Sequence, residues 1–369
     1  MWRLIYAILG LISGVAPAID KPEAELLFVG DAMQHQAQLD KAKELGKGEY
    51  DYSDCFNLIA PAVNNADYAV INLEVPLGGG KDYSGYPCFS APDSFAEALS
   101  EAGFDMMLTA NNHCLDRRGK AAKRTLNALD SLKIDHIGTF RNRSERDSLV
   151  PFIKYINGFK IAFLNYTYGT NGIQPDQGIE VAYIDKAKIK DEIARAKDLG
   201  AEIIIVAMHW GIEYVLLENN VQRDLAEFLI DNGVDVIIGG HPHVVQPMKV
   251  VHNDMENKEV LIVYSLGNFI SNMKTADTRG GAMVWVTLTR DDEGKAKFKK
   301  AEYNTLFVAK PEGKNNYRVI PAWLEDSIPQ SQKYHWDIFK RGAMKVFDKY
   351  NVGVPQRISF NFTKDDTSK

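Results

Sequence analysis

Cysteine is scarce in this chain, with only Cys55, Cys88 and Cys114 among 369 residues. So few thiols exclude a disulfide framework and an all-thiolate metal cage. An exported location would permit one bond but does not say which pair. Cys114, although it follows His113, has no ligand spacing and reads as a packed free thiol. Positive charge is not in excess either. Lys and Arg total 43 against 49 Asp and Glu, a net of −6, which argues against nucleic acid or an anionic membrane surface as a partner of the whole chain. Any contact with a polyanion has to be local. No Walker loop, serine nucleophile elbow or dinucleotide fingerprint occurs, so the reactions those motifs serve lose their support. There is no internal repeat and no low-complexity segment.

The material that is present suits a globular enzyme or binding protein. With 45% hydrophobic and 25% charged residues, the chain can fill one large α/β domain plus an extension. Its amino terminus reads as an export signal. Met1-Trp2-Arg3 carries positive charge, Leu4 to Val15 is almost wholly apolar, and Ala16-Pro17-Ala18 offers small residues where a signal peptidase cuts, after Ala18. The apolar stretch is shorter than the roughly 20 residues of a membrane span, and no cysteine lies near the cut to carry a lipid.

Gly239-Gly240-His241-Pro242-His243 follows the apolar run Val234–Ile238, the pattern of a buried strand emptying into a loop. Pro242 favours extended backbone at His241, and residues two apart in extended chain share a side, so both imidazoles are expected to face one ion. Four other apolar runs end in polar groups. They lead into Asp31, into Asn72-Leu73-Glu74, into Asn111-Asn112-His113 and into His209-Trp210-Gly211. In an open α/β sheet such strand ends converge. Together they supply oxygen and imidazole ligands, which suit zinc, manganese, iron or magnesium.

In order, Gly30-Asp31, Asn72-Leu73-Glu74, Ala110-Asn111-Asn112-His113, His209-Trp210-Gly211-Ile212-Glu213-Tyr214, Gly240-His241-Pro242-His243 and Ser265-Leu266-Gly267-Asn268-Phe269 resemble the CapA family of poly-γ-glutamate capsule proteins, similar to a branch of the calcineurin-like metallophosphoesterases. The resemblance covers residues 24–272. It implies a four-layer α/β/β/α sandwich with residues 273–369 completing or extending the domain, and a link to capsule polymer synthesis or export machinery. It also implies one or two divalent metals. Asp31, Glu74 and His243 would surround the first, and Glu74, Asn112, His209 and His241 the second, with Glu74 bridging. His113 would protonate a leaving group or hold the substrate oxygen. Two positions depart from the parent pattern. Met33 stands where a histidine is expected, and a thioether is a poor partner for a hard ion. His35 could substitute only if the loop turned back. Glu74 replaces an aspartate, lengthening the reach by one methylene.

Such a site supports metal-assisted hydrolysis of a phosphoester or of a γ-glutamyl amide. The alternative is a capsule-assembly or polymer-binding protein that keeps the fold and at most one metal. Arg117, Arg118, Lys120, Lys123 and Arg124 open a predicted helix over 117–132 and offer a local attraction for an anionic polymer or phosphoester. Asn72, Trp210, Glu213, Tyr214 and Asn268 are further candidates for touching substrate, although Trp210 and Tyr214 could equally pack their own loop. His136, His252 and His335 read as structural or exposed. Helices are expected over 93–102, 185–199, 221–231 and 336–350. Strands are expected at 283–288 and 298–308, a loop or flap at 78–92, and a frayed tail from Asp365.

Overall fold

A computed structural model describes residues 21–80 and 82–360 of the chain. The proposed export signal and the tail from Asp365 lie outside them. Among the described residues no helix is long and apolar enough to cross a membrane.

Two sheets stack face to face. The first has eight strands. Its path runs Arg318–Pro321, Ala296–Ala309, Gly280–Arg290, Glu23–Ala32, Tyr68–Leu73, Met106–Leu108 and Asp135–Ile137, with Asn268–Ile270 pairing beside Asp31. The second has six, in the order Met248–Asn253, Lys258–Val263, Val236–Gly240, Ile203–His209, Phe159–Thr167 and Phe152–Ile156. Alternation along the first sheet explains the layering. Leu26 and Phe28 point into the core shared with the second sheet, while Leu27 and Val29 point into a separate core on the outer face. Both faces must therefore be covered. Helix Asp93–Glu101 covers the outer face with Phe95 and Leu99, and helices Lys186–Asp198 and Asn220–Asp231 cover the second sheet with Ile189, Ile193, Leu225 and Leu229. This is the expected four-layer α/β/β/α sandwich.

The carboxyl-terminal piece is wired into the first sheet. Strand Gly280–Arg290 lies antiparallel beside Glu23–Ala32, and helix Lys333–Tyr350 packs Trp336, Phe339 and Phe347 into the central core. The expected helices and strands appear within a few residues of their anticipated ends, as do the helix Arg118–Ser131 and the largely irregular flap 78–92. All three cysteines are free, and burial pushes the Cys114 thiol up to about 12, so it is a packed, unreactive group.

Parallel neighbours at the centre of each sheet send their carboxyl ends to one rim. Asp31 pairs with Asn72, and Gly240 with His209. Glycine permits the tight approach behind Asp31. A Cβ on Gly30 would sit 1.9 Å from the Gly267 carbonyl oxygen, the acceptor of the Asp31 N–H at 2.9 Å. We expect Gly30→Ala to cost about 3 kcal/mol or more, by overpacking against backbone that cannot move aside. A denaturation midpoint within error of wild type would contradict that.

Candidate metal centre

The polar residues at the strand ends meet in one buried cluster. Asp31 and Glu74 are fully buried, and His209, His241 and His243 are nearly so. Asp31 accepts from Asn72 Nδ2 at 2.7 Å through Oδ1, and its Oδ2 lies 3.2 Å from His243 Nδ1. His209 Nε2 stands 2.8 Å from Asn112 Oδ1 and 3.5 Å from Glu74 Oε1. The same Glu74 oxygen is 3.8 Å from His243 Nε2. Glu74 is thus central, between the pair Asp31 and His243 on one side and Asn112 and His209 on the other. Ligand atoms of Glu74, His241 and His243, and again those of Asp31, Glu74 and His209, lie within 4.8 Å of one another.

Both carboxylate oxygens of Glu74, and Nδ1 of His241, are buried with no hydrogen-bond partner. A carboxylate stripped of water and left unpaired is costly, and a divalent cation is the partner that offsets this cost among neutral imidazoles and amide oxygens. The donor set fits such an ion. Protonation states in the metal-free protein report the same demand. Burial, followed by the Asp31 charge, pushes Glu74 well above its ordinary range. Burial also lifts Asp31, but hydrogen bonding and attraction from His243 outweigh it and hold the acid down at about 2. Burial lowers His209 to about 3 and His241 to about 2, keeping both neutral and able to ligate. For His243 burial is outweighed by Glu74 and Asp31, and its imidazole rises to about 9.

His241 and His243 reach the cluster by an unexpected backbone. Neither is extended, since φ is +96° at His241 and +59° at His243. Left-handed backbone is disfavoured for side-chain-bearing residues, by roughly 1–2 kcal/mol each. It is retained where the surroundings force it, and the His241 N–H reaches Asp31 Oδ2 at 3.3 Å. The two rings converge, 6.0 Å apart, through a tight turn rather than by alternation along a strand.

Met33 does not face a metal. Its side chain packs in the outer core, and its N–H bonds Ile270 O at 2.8 Å. His35 is not among the clustered ligand atoms, although it lies close enough to feel the charges of His243 and His113. His35 precedes helix Gln36–Leu45, its ring meets Phe89 edge-on, and its Nδ1 accepts from the Asn272 N–H at 3.2 Å. His113 stands beside the cluster, with Nδ1 2.8 Å from the buried carboxylate of Asp116 and its ring edge-on to Phe89. Asn268 Oδ1 lies 3.1 Å from His243 Nδ1.

Other candidates fall at differing distances from the centre. Trp210 is buried and donates to Tyr264 O at 3.0 Å, so it packs its loop. Tyr214 is 54% exposed with its ring 6.4 Å from His243, at the mouth, where Glu213 contributes a negative field. Arg117 bonds Ser84 of the flap, Arg118 is exposed, and Arg124 is held by Asp93. The basic helix start is therefore partly spent on internal contacts. His136 is bonded to Asp130, and His252 to Glu259.

The loop after strand Phe159–Thr167 adds residues that are not among the sequence candidates. Tyr168 lies against His241 at 4.5 Å between centroids, and Asn171 places its amide 3.4 Å from Asn112 and 3.5 Å from His113. A sixth apolar run ending in Tyr168-Gly169-Thr170-Asn171 carried the same strand-end signature as the other five.

The model of the bacterial capsule synthesis protein family PGA_cap matches residues 25–273. The capsule biosynthesis protein CapA of Bacillus anthracis is 30% identical over 282 residues, covering 73% of this chain and 66% of that protein. The PGA biosynthesis protein CapA of Bacillus subtilis is 29% identical, covering 73% and 68%. The chain thus spans about two thirds of the length of these relatives. Among solved structures, NAD nucleotidase of Haemophilus influenzae superposes with a TM-score of 0.48 and 13% identity, over 91% of this chain and 65% of that one. The calcineurin-like phosphoesterase YfkN of Bacillus subtilis gives 0.44 and 13%, over 89% and 99%.

Proposed function

The chain belongs to the bacterial capsule synthesis family PGA_cap, and from that premise we propose that it is an exported, metal-dependent hydrolase acting on a phosphoester or on the γ-linked capsule polymer itself. The observation that carries the reading is Glu74, buried with both oxygens unpartnered between Asp31 and three histidines. In this reading Asp31, Glu74 and His243 hold one side of a divalent site, and Glu74, Asn112, His209 and His241 the other. A divalent ion bound there supplies Lewis acidity toward a phosphoryl or carbonyl oxygen. Asn72 fixes the Asp31 carboxylate, and Asn268 orients the His243 ring. The Asp116 carboxylate accepts a hydrogen bond from His113 Nδ1–H, so in the doubly protonated imidazole Nε2–H is the donor that hands its proton to the departing group, leaving His113 neutral.

Metal content of the purified protein, with turnover of a generic phosphodiester and of polyglutamate by wild type and His241→Ala, tests this. Near-stoichiometric metal with no turnover of either substrate would favour the second reading, a capsule-assembly protein that keeps one ion. Met33 supports that second reading, since its side chain has withdrawn into the core where the parent pattern has a ligand. Amino-terminal sequencing of the mature protein is expected to begin at Ile19.

Metal affinity is expected to rise with pH. His243 is protonated in the metal-free protein up to about 9, and Glu74 holds its proton well above the usual range. Both must release protons to ligate. Titration calorimetry in buffers of differing protonation enthalpy reads this release directly, and a pH-independent affinity would remove His243 from the ligand set.

A further inference from the structure

Three cationic side chains and one imidazole beyond the metal centre come together without an anionic partner. Lys274, Arg279, Lys310 and His335 form no ion pair among the described residues. They come from three segments that the fold ties together. Arg279 closes the turn Ala276–Thr278, and its Nη2 donates to Lys274 O at 3.2 Å. The Val308 N–H bonds Arg279 O at 2.9 Å, which sets Arg279 beside the end of strand Ala296–Ala309, where Lys310 follows. Gln332 grips the Lys310 backbone on both sides, accepting its N–H at 2.8 Å and donating to its carbonyl at 3.0 Å. His335 then lies in the first turn of helix Lys333–Tyr350.

The charges share one field. Partial burial, then Arg279 and Lys274, lower the Lys310 ammonium below its ordinary range, and Arg279 and Lys310 also press on His335. Arg279 Nε is buried without a partner. The carboxylates close by face elsewhere, Glu312 accepting from Ser331 and Asp277 lying against Gly342.

Register places this patch on the active rim. Strand Gly280–Arg290 sets Met283 opposite Val29, and strand Ala296–Ala309 sets Phe307 opposite Gly280. Arg279 and Lys310 therefore emerge at the same sheet end as Asp31, with Asn268–Ile270 in between, two and three strands aside, roughly 10–15 Å laterally. Asn268 links the two regions, since its Nδ2 donates to Thr278 O at 2.9 Å while its Oδ1 faces His243 Nδ1. The patch starts at residue 274, just past the 25–273 matched by the family model.

We propose that Lys274, Arg279, Lys310 and His335 form a binding track for an extended polycarboxylate chain, which they hold beside the metal centre. This rests on the polymer-handling reading above. Basic groups from three segments, sharing no acceptor, suit charges repeated along a chain better than one compact phosphate, which an Arg fork or a nest of backbone N–H groups would grip.

The test is binding of fluorescein-labelled polyglutamate to the chelator-treated full chain, followed by anisotropy at low and high salt. Lys274→Glu with Lys310→Glu is expected to weaken binding about tenfold or more at low salt and to flatten its salt dependence. Lys345→Glu with Lys349→Glu, an equal change of charge on the far turns of the last helix, is expected to leave affinity near wild type. Lys274→Gln with Lys310→Gln serves if the reversal fails to fold. Equal weakening by both doubles, no weakening by the first, or the same dependence with polyphosphate and none with polyglutamate would each overturn the track. Because binding is read without metal, its failure is separable from that of the hydrolase reading. Patch-dependent binding without any turnover would sink catalysis and leave the track standing.

Discussion

His113→Ala is expected to lower kcat by about 10²–10⁴ while leaving KM and metal content near wild type. The reason is positional. His113 lies beside the ligand cluster, and its ring is fixed by Phe89 and by the Asp116 carboxylate at 2.8 Å. Removing it takes away a proton donor without opening the coordination set. Leaving-group dependence provides the decisive readout. A phosphodiester whose leaving group is already a stable anion needs little protonation, so the variant should retain most activity on it and lose most on an alkyl ester. Asp116→Asn should show the same pattern at a smaller size, roughly 10–100-fold, because it misorients the imidazole instead of deleting it. A loss uniform across leaving groups, or a loss of metal, would show that His113 serves structure or coordination.

Proposed ligands could be picked out from sequence because burial and chemistry coincide in them. A strand covered on both faces has to be apolar, so a polar residue at its end stands out, and Asp31, Glu74, Asn112, His209, His241 and His243 all announce themselves that way. The first sheet was less obvious. Its long strands at 280–290 and 296–309 were readable, but their insertion beside Asp31 depends on pairing between residues about 250 apart in sequence, such as Val29 with Met283. The basic patch comes from the same remote register and leaves no local trace. Conformation misled where a local rule met a tertiary constraint. Pro242 favours extended backbone at His241, yet the contact with Asp31 and the tight turn hold it at positive φ. Met33 shows the converse, a departure from pattern visible in sequence whose consequence, withdrawal into the outer core, needed the fold.

Glu74→Gln is expected to reverse its effect on stability according to whether metal is present. In metal-free protein the folded state holds the Glu74 proton more tightly than the unfolded state does, since burial and Asp31 raise its pKa well above 4.5. A raised carboxyl contributes stability that is complete below its unfolded pKa and is lost as pH climbs through the folded one. His243, raised from 6.5 to about 9 largely by Glu74 and Asp31, loses its contribution in the same direction. His209 and His241, lowered by burial, contribute in the opposite direction up to their unfolded value of 6.5, so metal-free wild type should weaken from about pH 7 toward 9. The glutamine removes the first of these contributions directly and reduces the second by deleting the charge that sustains it, so the variant should be the more stable apoprotein at pH 8 and show a flatter profile. With metal the order inverts. Wild type gains about 2.7 kcal/mol at a hundredfold excess of ion over its Kd, a rise in Tm of roughly 5 °C, while a variant lacking the central carboxylate gains little. Thermal melts of both proteins with chelator and with manganese or zinc, across this pH range, measure all four quantities. Equal metal-induced shifts in the two proteins would place the ion elsewhere, and a wild-type apoprotein that strengthens between pH 7 and 9 would mean that Glu74 has a partner that neutralises it without metal.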